Sequence, residues 1–231
     1  MDKPLTATGY DDDRFYQEHV AAGLDYLVCG EWHYAYARMV TKATLQHTYA
    51  NPALFDGGCA CGALLNAFDK TFVYDRVFGV DPSQTMINLG REKFRFGDDV
   101  MRVGSIDKIE ASDASFTLVN TSQVMEHISD DILDATLAEF NRILVSGGRM
   151  FHHYDALKHG EASDAYDFDP THVNIKPTSY WAAKFVGAGF LPDFESYDRF
   201  VLSNETLTGD NTSKSFFQEY RNWSVSTWIK P

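Results

Sequence analysis

The sequence predicts a doubly wound α/β protein with a mostly parallel sheet, and three observations carry that expectation. Apolar strand-like runs alternate with amphipathic helical patterns across short links from residue 51 onward. The run 116–120 is an uninterrupted strand-like segment rich in large apolar residues, of the kind expected in a buried parallel sheet. A glycine-rich turn, Asp56-Gly57-Gly58-Cys59-Ala60-Cys61-Gly62, follows the first strand, and Asp81 ends the second. Glycines there let a strand turn sharply into a helix and let a ligand reach the backbone, while the later acid can accept hydrogen bonds from a ribose diol.

Taken in order, residues 11–49 are aromatic-rich with near-helical spacing of Phe15, His19, Tyr36, Val40 and Leu45. The break at Asn51-Pro52 precedes strand one, 53–56, then a helix over 63–72 and strand two over 76–80. Pro82-Ser83 opens the next helix, with Met86 and Leu89 on one face; strand three is short, 100–103, and strand four is 116–120. Ser129-Asp130-Asp131 caps a helix whose Leu133, Leu137, Phe140 and Leu144 recur at helical spacing. Gly147-Gly148 reads as a turn into strand five, 149–154, and a helix bearing Trp181 and Phe185 stops at Gly187 to Gly189. The aromatic and β-branched segments 194–203 and 215–228 read as a closing antiparallel hairpin around a loop at 204–214. This divides the chain into an N-terminal helical lid, 1–50, and a main domain, 51–231, in one globular unit.

Composition narrows the function. An apolar fraction of 44% with 14% aromatics in 231 residues suits a packed domain, not a disordered chain. A formal charge of −13 without a basic stripe argues against nucleic-acid and anionic-membrane partners. No apolar run approaches a membrane span, and residues 1–13 are acidic without a signal-like apolar core, so a cytoplasmic location is expected. Three cysteines, Cys29, Cys59 and Cys61, are too few for a disulfide framework, and no second Cys/His pair accompanies Cys59 and Cys61; no metal site is expected.

The order Asp-x-Gly-x-Ala-x-Gly puts a carboxylate at the front of the turn. That would repel a pyrophosphate but suits a ligand carrying an ammonium group, which argues against a dinucleotide. The turn resembles motif I of the class I S-adenosylmethionine-dependent methyltransferases of the small-molecule type, departing from it at Ala60, where that family prefers glycine. The resemblance covers roughly residue 51 to the end and implies a Rossmann-like, seven-stranded methyltransferase sheet with its last strand antiparallel and helices on both faces. It also implies S-adenosylmethionine as cofactor and S-adenosylhomocysteine as product. Gly57, Gly58, Ala60 and Gly62 would approach the cofactor with Asp56; Asp81 and Pro82 would lie at the ribose. Gly104-Ser105-Ile106 stands where the family commonly carries Gly-Asp-Ala, so Ser105 would accept from the adenine amine and Ile106 and Met86 would flank the ring. Thr121 to Ile128, Thr-Ser-Gln-Val-Met-Glu-His-Ile, resembles the Ser-x-Val-x-Glu-His signature of small-molecule members and places Gln123 and Val124 at the cofactor. The Asn/Asp-Pro-Pro-Tyr and Pro-Cys runs of nucleic-acid enzymes are absent.

Ahead of the turn, Arg38 is the candidate fork for the methionyl carboxylate, and Tyr16 and Trp32 could shield the sulfonium. For the base that a hydroxyl acceptor requires, the Asp-Pro-Thr-His run resembles that of sugar and natural-product enzymes and ranks His172 first, ahead of His153, Asp155 and His127. His152 and His153 point to opposite sheet faces, so at most one serves the site. The expected activity is methyl transfer to a hydroxyl of a small molecule, a sugar or secondary metabolite. N-methylation of a small amine is the close alternative; aminopropyl transfer, a degenerate cofactor-binding scaffold and a dinucleotide oxidoreductase rank below it. The expected partner is the small-molecule acceptor, and a homodimer stays open as an assembly.

Overall fold

The computed structural model describes residues 26–44, 49–156, 171–207 and 223–231. Tyr16, Asp169, Pro170 and the expected loop at 204–214 beyond its first residues lie outside them. The described elements are α1 (Glu31–Thr44), β1 (Ala53–Gly57), α2 (Ala63–Asp69), β2 (Arg76–Asp81), α3 (Gln84–Phe94), β3 (Met101–Val103) and β4 (Phe116–Ser122). A single 3-10 turn (Met125–His127) leads to α4 (Asp130–Ile143), β5 (Leu144–Asp155), α5 (Thr178–Gly187), β6 (Leu191–Pro192), α6 (Phe194–Leu207) and β7 (Trp223–Ile229).

These strands form one seven-stranded sheet in the order β3-β2-β1-β4-β5-β7-β6. The first five pair in parallel, whereas β7 runs antiparallel to both β5 and β6. This is the Rossmann-like sheet with an antiparallel last strand that the sequence suggests. The order reverses between β1 and β4, and the carboxyl edge at such a switch point is where an open α/β sheet leaves a crevice.

Side chains alternate across the sheet and so build two cores. Phe55, Val119 and Met150 face Leu133, Leu137, Phe140, Trp181 and Phe185 of α4 and α5. Leu54, Leu118 and Phe151 face Tyr36, Val40, Leu65, Phe68, Ile87 and Phe200 of α1, α2, α3 and α6. As expected of a strand in a parallel sheet, β4 is buried along nearly its whole length. α1 is therefore packed onto the same body as the sheet, through Tyr36, Ala37, Met39, Val40 and Ala43.

Three expectations need correction. Residues 194–203 are the start of α6, not the first arm of a hairpin. Asp193 caps this helix: its Oδ1 accepts from Ser196 N at 3.0 Å and its Oδ2 from the Ser196 hydroxyl at 2.6 Å. The Arg149 guanidinium bonds the same carboxylate at 2.8 Å, with both partners almost fully buried. Gly147-Gly148 does not precede strand five; it lies within it, at an irregularity between Phe116↔Leu144 and Leu118↔Arg149 where Gly147 takes φ 76°. The helix expected over 63–72 stops at Asp69, and Phe72 is left exposed at φ 57°.

Candidate functional site

At the carboxyl edge, the turn after β1 is fixed by its backbone. Gly58 N and Cys59 N both donate to Val80 O, at 2.9 and 3.0 Å, which docks the turn on the end of β2. Gly58 (φ 69°), Ala60 (φ 47°) and Gly62 (φ 75°) take left-handed conformations. A Cβ on Gly58 would stand 2.5 Å from Val124 Cγ2, so only glycine lets the loop after β4 close onto this turn. Ala60 holds its conformation without that freedom, and its N–H donates to Asp81 Oδ2 at 2.9 Å. Ser83 N donates to Asp81 Oδ1 at 2.9 Å. Two backbone amides thus aim the Asp81 carboxylate, which stays half-exposed at the edge.

A second carboxylate lies beneath. Asp56 is 2% exposed and accepts from Asn120 Nδ2 at 2.7 Å, while the Tyr36 hydroxyl donates to Asn120 Oδ1 at 3.2 Å. Burial raises Asp56 to about 7 against the help of Asn120, and the nearby Asp81 raises it further. Burial raises Asp81 to about 6, opposed by the amides of Ser83 and Ala60. Two carboxylates this strained toward neutrality make a pocket that favours a cationic ligand. Above them Trp32 stacks on Tyr36 at 5.4 Å between ring centroids, and Tyr36 meets His153 at 5.8 Å. Gln123 is held at φ 55° with its N–H on His153 O at 2.7 Å. Its side-chain Nε2 is buried and has no hydrogen-bond partner among the described residues.

Beyond β4 lies a different constellation. Glu126 and His127 sit in the 3-10 turn, and the segment from Thr171 folds back on it through Asn174 N to Glu126 O at 2.9 Å and Asn174 Nδ2 to Ile128 O at 2.8 Å. The rings of His127 and His172 meet edge to face at 4.6 Å. His127 Nδ1 lies 3.2 Å from Thr171 O and 2.9 Å from its Oγ1; His172 Nδ1 lies 4.0 Å from Asp155 Oδ2. Glu126 is fully buried, and Asp155 N donates to its Oε1 at 3.4 Å.

The structure thus brings Gly57, Gly58, Ala60, Gly62, Asp81, Pro82, Gln123 and Val124 to one edge, and His127, His172 and Asp155 to its neighbour. Other expected residues are placed differently. Arg38 is exposed on α1, about 200° around the helix from the inward Tyr36, so the fork expected of it is turned away. Met86, 1% exposed, meets the Cys61 thiol at 3.2 Å, and Ile106 packs in the core against Gly57. The Ser105 hydroxyl donates to Asp107, whose carboxylate brings to this corner the acid that position 105 lacks. His152 and His153 do face opposite sides: His152 stacks on Phe185 at 4.9 Å in the core, and His153 bonds Ser122 at 3.0 Å. Burial lowers His153 to about 3, which makes it a poor proton acceptor. Sequence reasoning passed over Tyr36, Asn120 and Asp107. Asn120 alone carried a signal, as a polar residue in an otherwise apolar buried strand.

Comparison with known proteins agrees with this geometry. Residues 55–152 match the family described as methyltransferase domain. A relative, an uncharacterised methyltransferase of Schizosaccharomyces pombe, is 28% identical over 141 residues, 57% of this chain and 50% of the relative. The match thus spans about half the length of that protein. The fold is similar to the geranyl diphosphate C-methyltransferase of Streptomyces coelicolor A3(2), solved with Mg2+, geranyl diphosphate and S-adenosylhomocysteine, at TM-score 0.63 and 16% identity over 85% of this chain and 77% of that one. It is equally similar to a phosphoethanolamine N-methyltransferase of Haemonchus contortus solved with S-adenosylhomocysteine, at TM-score 0.63 and 17% identity over 89% and 57% of the two chains.

Proposed function

We propose that this chain, whose residues 55–152 match a methyltransferase domain, is an S-adenosylmethionine-dependent enzyme of class I that methylates a small molecule, on a hydroxyl of a sugar or secondary metabolite. The observation that carries the cofactor half is the half-exposed Asp81 carboxylate, aimed by Ala60 N and Ser83 N beside a glycine turn. The residues present fit the cofactor. Asp81 suits a ribose diol, Asp107 with Ser105 suits the adenine amine, and the paired charges of Asp56 and Asp81 suit a ligand bearing a sulfonium and an ammonium. Gln123 Nε2 is a buried donor in want of an acceptor. When bound, S-adenosylmethionine supplies an activated methyl group.

The protein's own work is then position, exclusion of water and a proton. Trp32, in contact with Tyr36 at 5.4 Å, is the aromatic ring of α1 that would face a sulfonium. Tyr36, Asn120 and Asp56 form a hydrogen-bonded chain that holds α1 over the end of β4. His172 would take the proton of the acceptor hydroxyl, whose oxygen would receive the methyl group that the cofactor supplies, leaving S-adenosylhomocysteine. Asp155, 4.0 Å from His172 Nδ1, steadies the imidazolium that forms. A small amine is the second reading, supported by the −13 charge and the carboxylates of Glu126 and Asp155 at this end of the site. A cytoplasmic location accords with this reading, and among the described residues no helix is long and apolar enough to cross a membrane.

Isothermal titration with S-adenosylmethionine and S-adenosylhomocysteine, with NAD as control, tests the reading. Micromolar binding of the first two and none of the third is expected. Tighter binding of NAD would replace the transferase reading with an oxidoreductase, and no binding of any of the three would favour a scaffold.

A further inference from the structure

We propose that Glu126, His127 and His172 bind one divalent first-row transition-metal ion at the acceptor end of the sheet. Each offers one ligand atom, and these atoms all lie within 4.8 Å of one another. Ligand atoms around a tetrahedral ion with bonds of about 2.0 Å stand about 3.3 Å apart, so the widest pair in the cluster needs to draw in by up to about 1.5 Å.

The surroundings match what a metal-bound imidazole requires. Such a ring donates its other N–H to a carbonyl or carboxylate, which fixes its tautomer and its aim. Thr171 O at 3.2 Å and Thr171 Oγ1 at 2.9 Å both stand at His127 Nδ1, so in the tautomer protonated there the ring has its acceptors in place and Nε2 is left to ligate. Asp155 Oδ2 stands 4.0 Å from His172 Nδ1, so a small shift would let that ring donate to it and ligate through Nε2. Each imidazole thus has an oxygen behind it and the other imidazole beside it. Glu126 is fully buried next to them and accepts Asp155 N on Oε1 at 3.4 Å, which ties its carboxylate to the end of β5. The backbone holds the two halves together through Asn174, whose N–H and side-chain amide bond Glu126 O and Ile128 O.

The donor set chooses the ion. Two imidazoles and one carboxylate suit Zn2+, Fe2+, Co2+ or Mn2+, whereas Mg2+ and Ca2+ demand mostly oxygen. Three protein ligands leave a coordination position open, as in catalytic rather than structural sites. An acceptor oxygen or water placed there would be acidified by the ion, which would then do what a free His172 base otherwise does. The cysteine spacing gave no hint of this site, because its histidines belong to segments far apart in the chain.

The test titrates EDTA-stripped full-length protein with ZnCl2 by calorimetry, and with CoCl2 by visible absorption. One ion per chain at micromolar affinity or tighter is expected. The double variant His127→Ala/His172→Ala should lose at least about 100-fold in zinc affinity, and Glu126→Gln about tenfold. His33→Ala, outside the cluster, should change it less than about twofold. Binding of S-adenosylhomocysteine by the double variant is measured alongside, so that failure of the metal site and failure of the cofactor reading are told apart. Absence of stoichiometric zinc, or equal affinity in the double variant, overturns the proposal. Should that variant not fold, X-ray absorption of zinc-loaded wild type decides. Imidazole scattering at about 2.0 Å supports the site, and an oxygen-only shell or sulfur at about 2.3 Å overturns it.

Discussion

The turn after β1 and the cluster beyond β4 share one edge of the sheet, yet they are made by different means. In the turn, backbone amides do the positioning: Gly58 N and Cys59 N grip β2, and Ala60 N and Ser83 N aim Asp81. Its parts lie close in sequence, with Ala60 and Asp81 separated by 21 positions. In the cluster, side chains do the positioning, and Thr171 reaches back across 44 positions to His127. A backbone-built half tolerates few shapes and serves an unchanging cofactor. A side-chain-built half can be recast by a few substitutions, as an acceptor preference would require under the proposed function.

The contrast is broken most severely at its centre. Asp81→Ala removes charge-assisted hydrogen bonds to a diol and should weaken S-adenosylhomocysteine by about 100-fold in calorimetry. If affinity holds within a few-fold, the backbone half is not the cofactor half. Gly58→Ala puts a Cβ 2.5 Å from Val124 Cγ2 at φ 69°, and should cost about 2 kcal/mol in urea denaturation. A loss near zero would mean that the loop after β4 yields freely.

Acidity comes next. Asp56 near 7 and Asp81 near 6 are both raised above ordinary carboxyls, so the folded protein holds their protons more tightly than the unfolded chain. Their contribution to ligand-free stability is therefore full below about pH 4 and is lost as pH rises through about 6 to 7. A cationic ligand needs the ionised forms, so its affinity runs the other way and should fall by up to about tenfold from pH 7 to pH 6. Calorimetry and thermal melts across pH 5–8 would expose the opposed slopes, and parallel slopes would contradict the assignment.

Smaller effects sharpen the contrast. Ala60→Gly relieves a left-handed alanine at φ 47° and should stabilise the protein by about 0.5–1 kcal/mol, with cofactor binding kept. Arg38→Ala should leave cofactor affinity unchanged within about twofold, because the side chain is exposed opposite Tyr36. A large loss there would restore the carboxylate fork that the helix geometry turns away.

The difference between the halves also explains what was legible in the chain. The glycine turn and Asp81 are local signals, since left-handed residues and a strand-terminal acid can be read at their own positions. Strand four is equally plain, because burial on both faces favours an uninterrupted run of large apolar residues such as Phe116, Leu118 and Val119. The hairpin expected from residue 194 failed for a physical reason. Aromatic and β-branched composition suits a strand, but Asp193 caps Ser196 and Phe200 is buried against α1, and these contacts select a helix. Asp193 followed by Glu195 was the available helix-start signal. The Gly147-Gly148 pair misled in the opposite sense, because a bulge and a turn ask for the same residues.

By itself, the sequence determined the alternating α/β architecture and the chemistry of the first turn, because periodicity, glycine conformation and a strand-end carboxylate are properties of short segments. Tertiary structure alone decided that Tyr36 and not Arg38 faces inward, that Ser105 is engaged by Asp107, and that Glu126, His127 and His172 converge. Those outcomes depend on which surfaces meet when distant segments pack, and no local pattern encodes the distance between two histidines held by the fold.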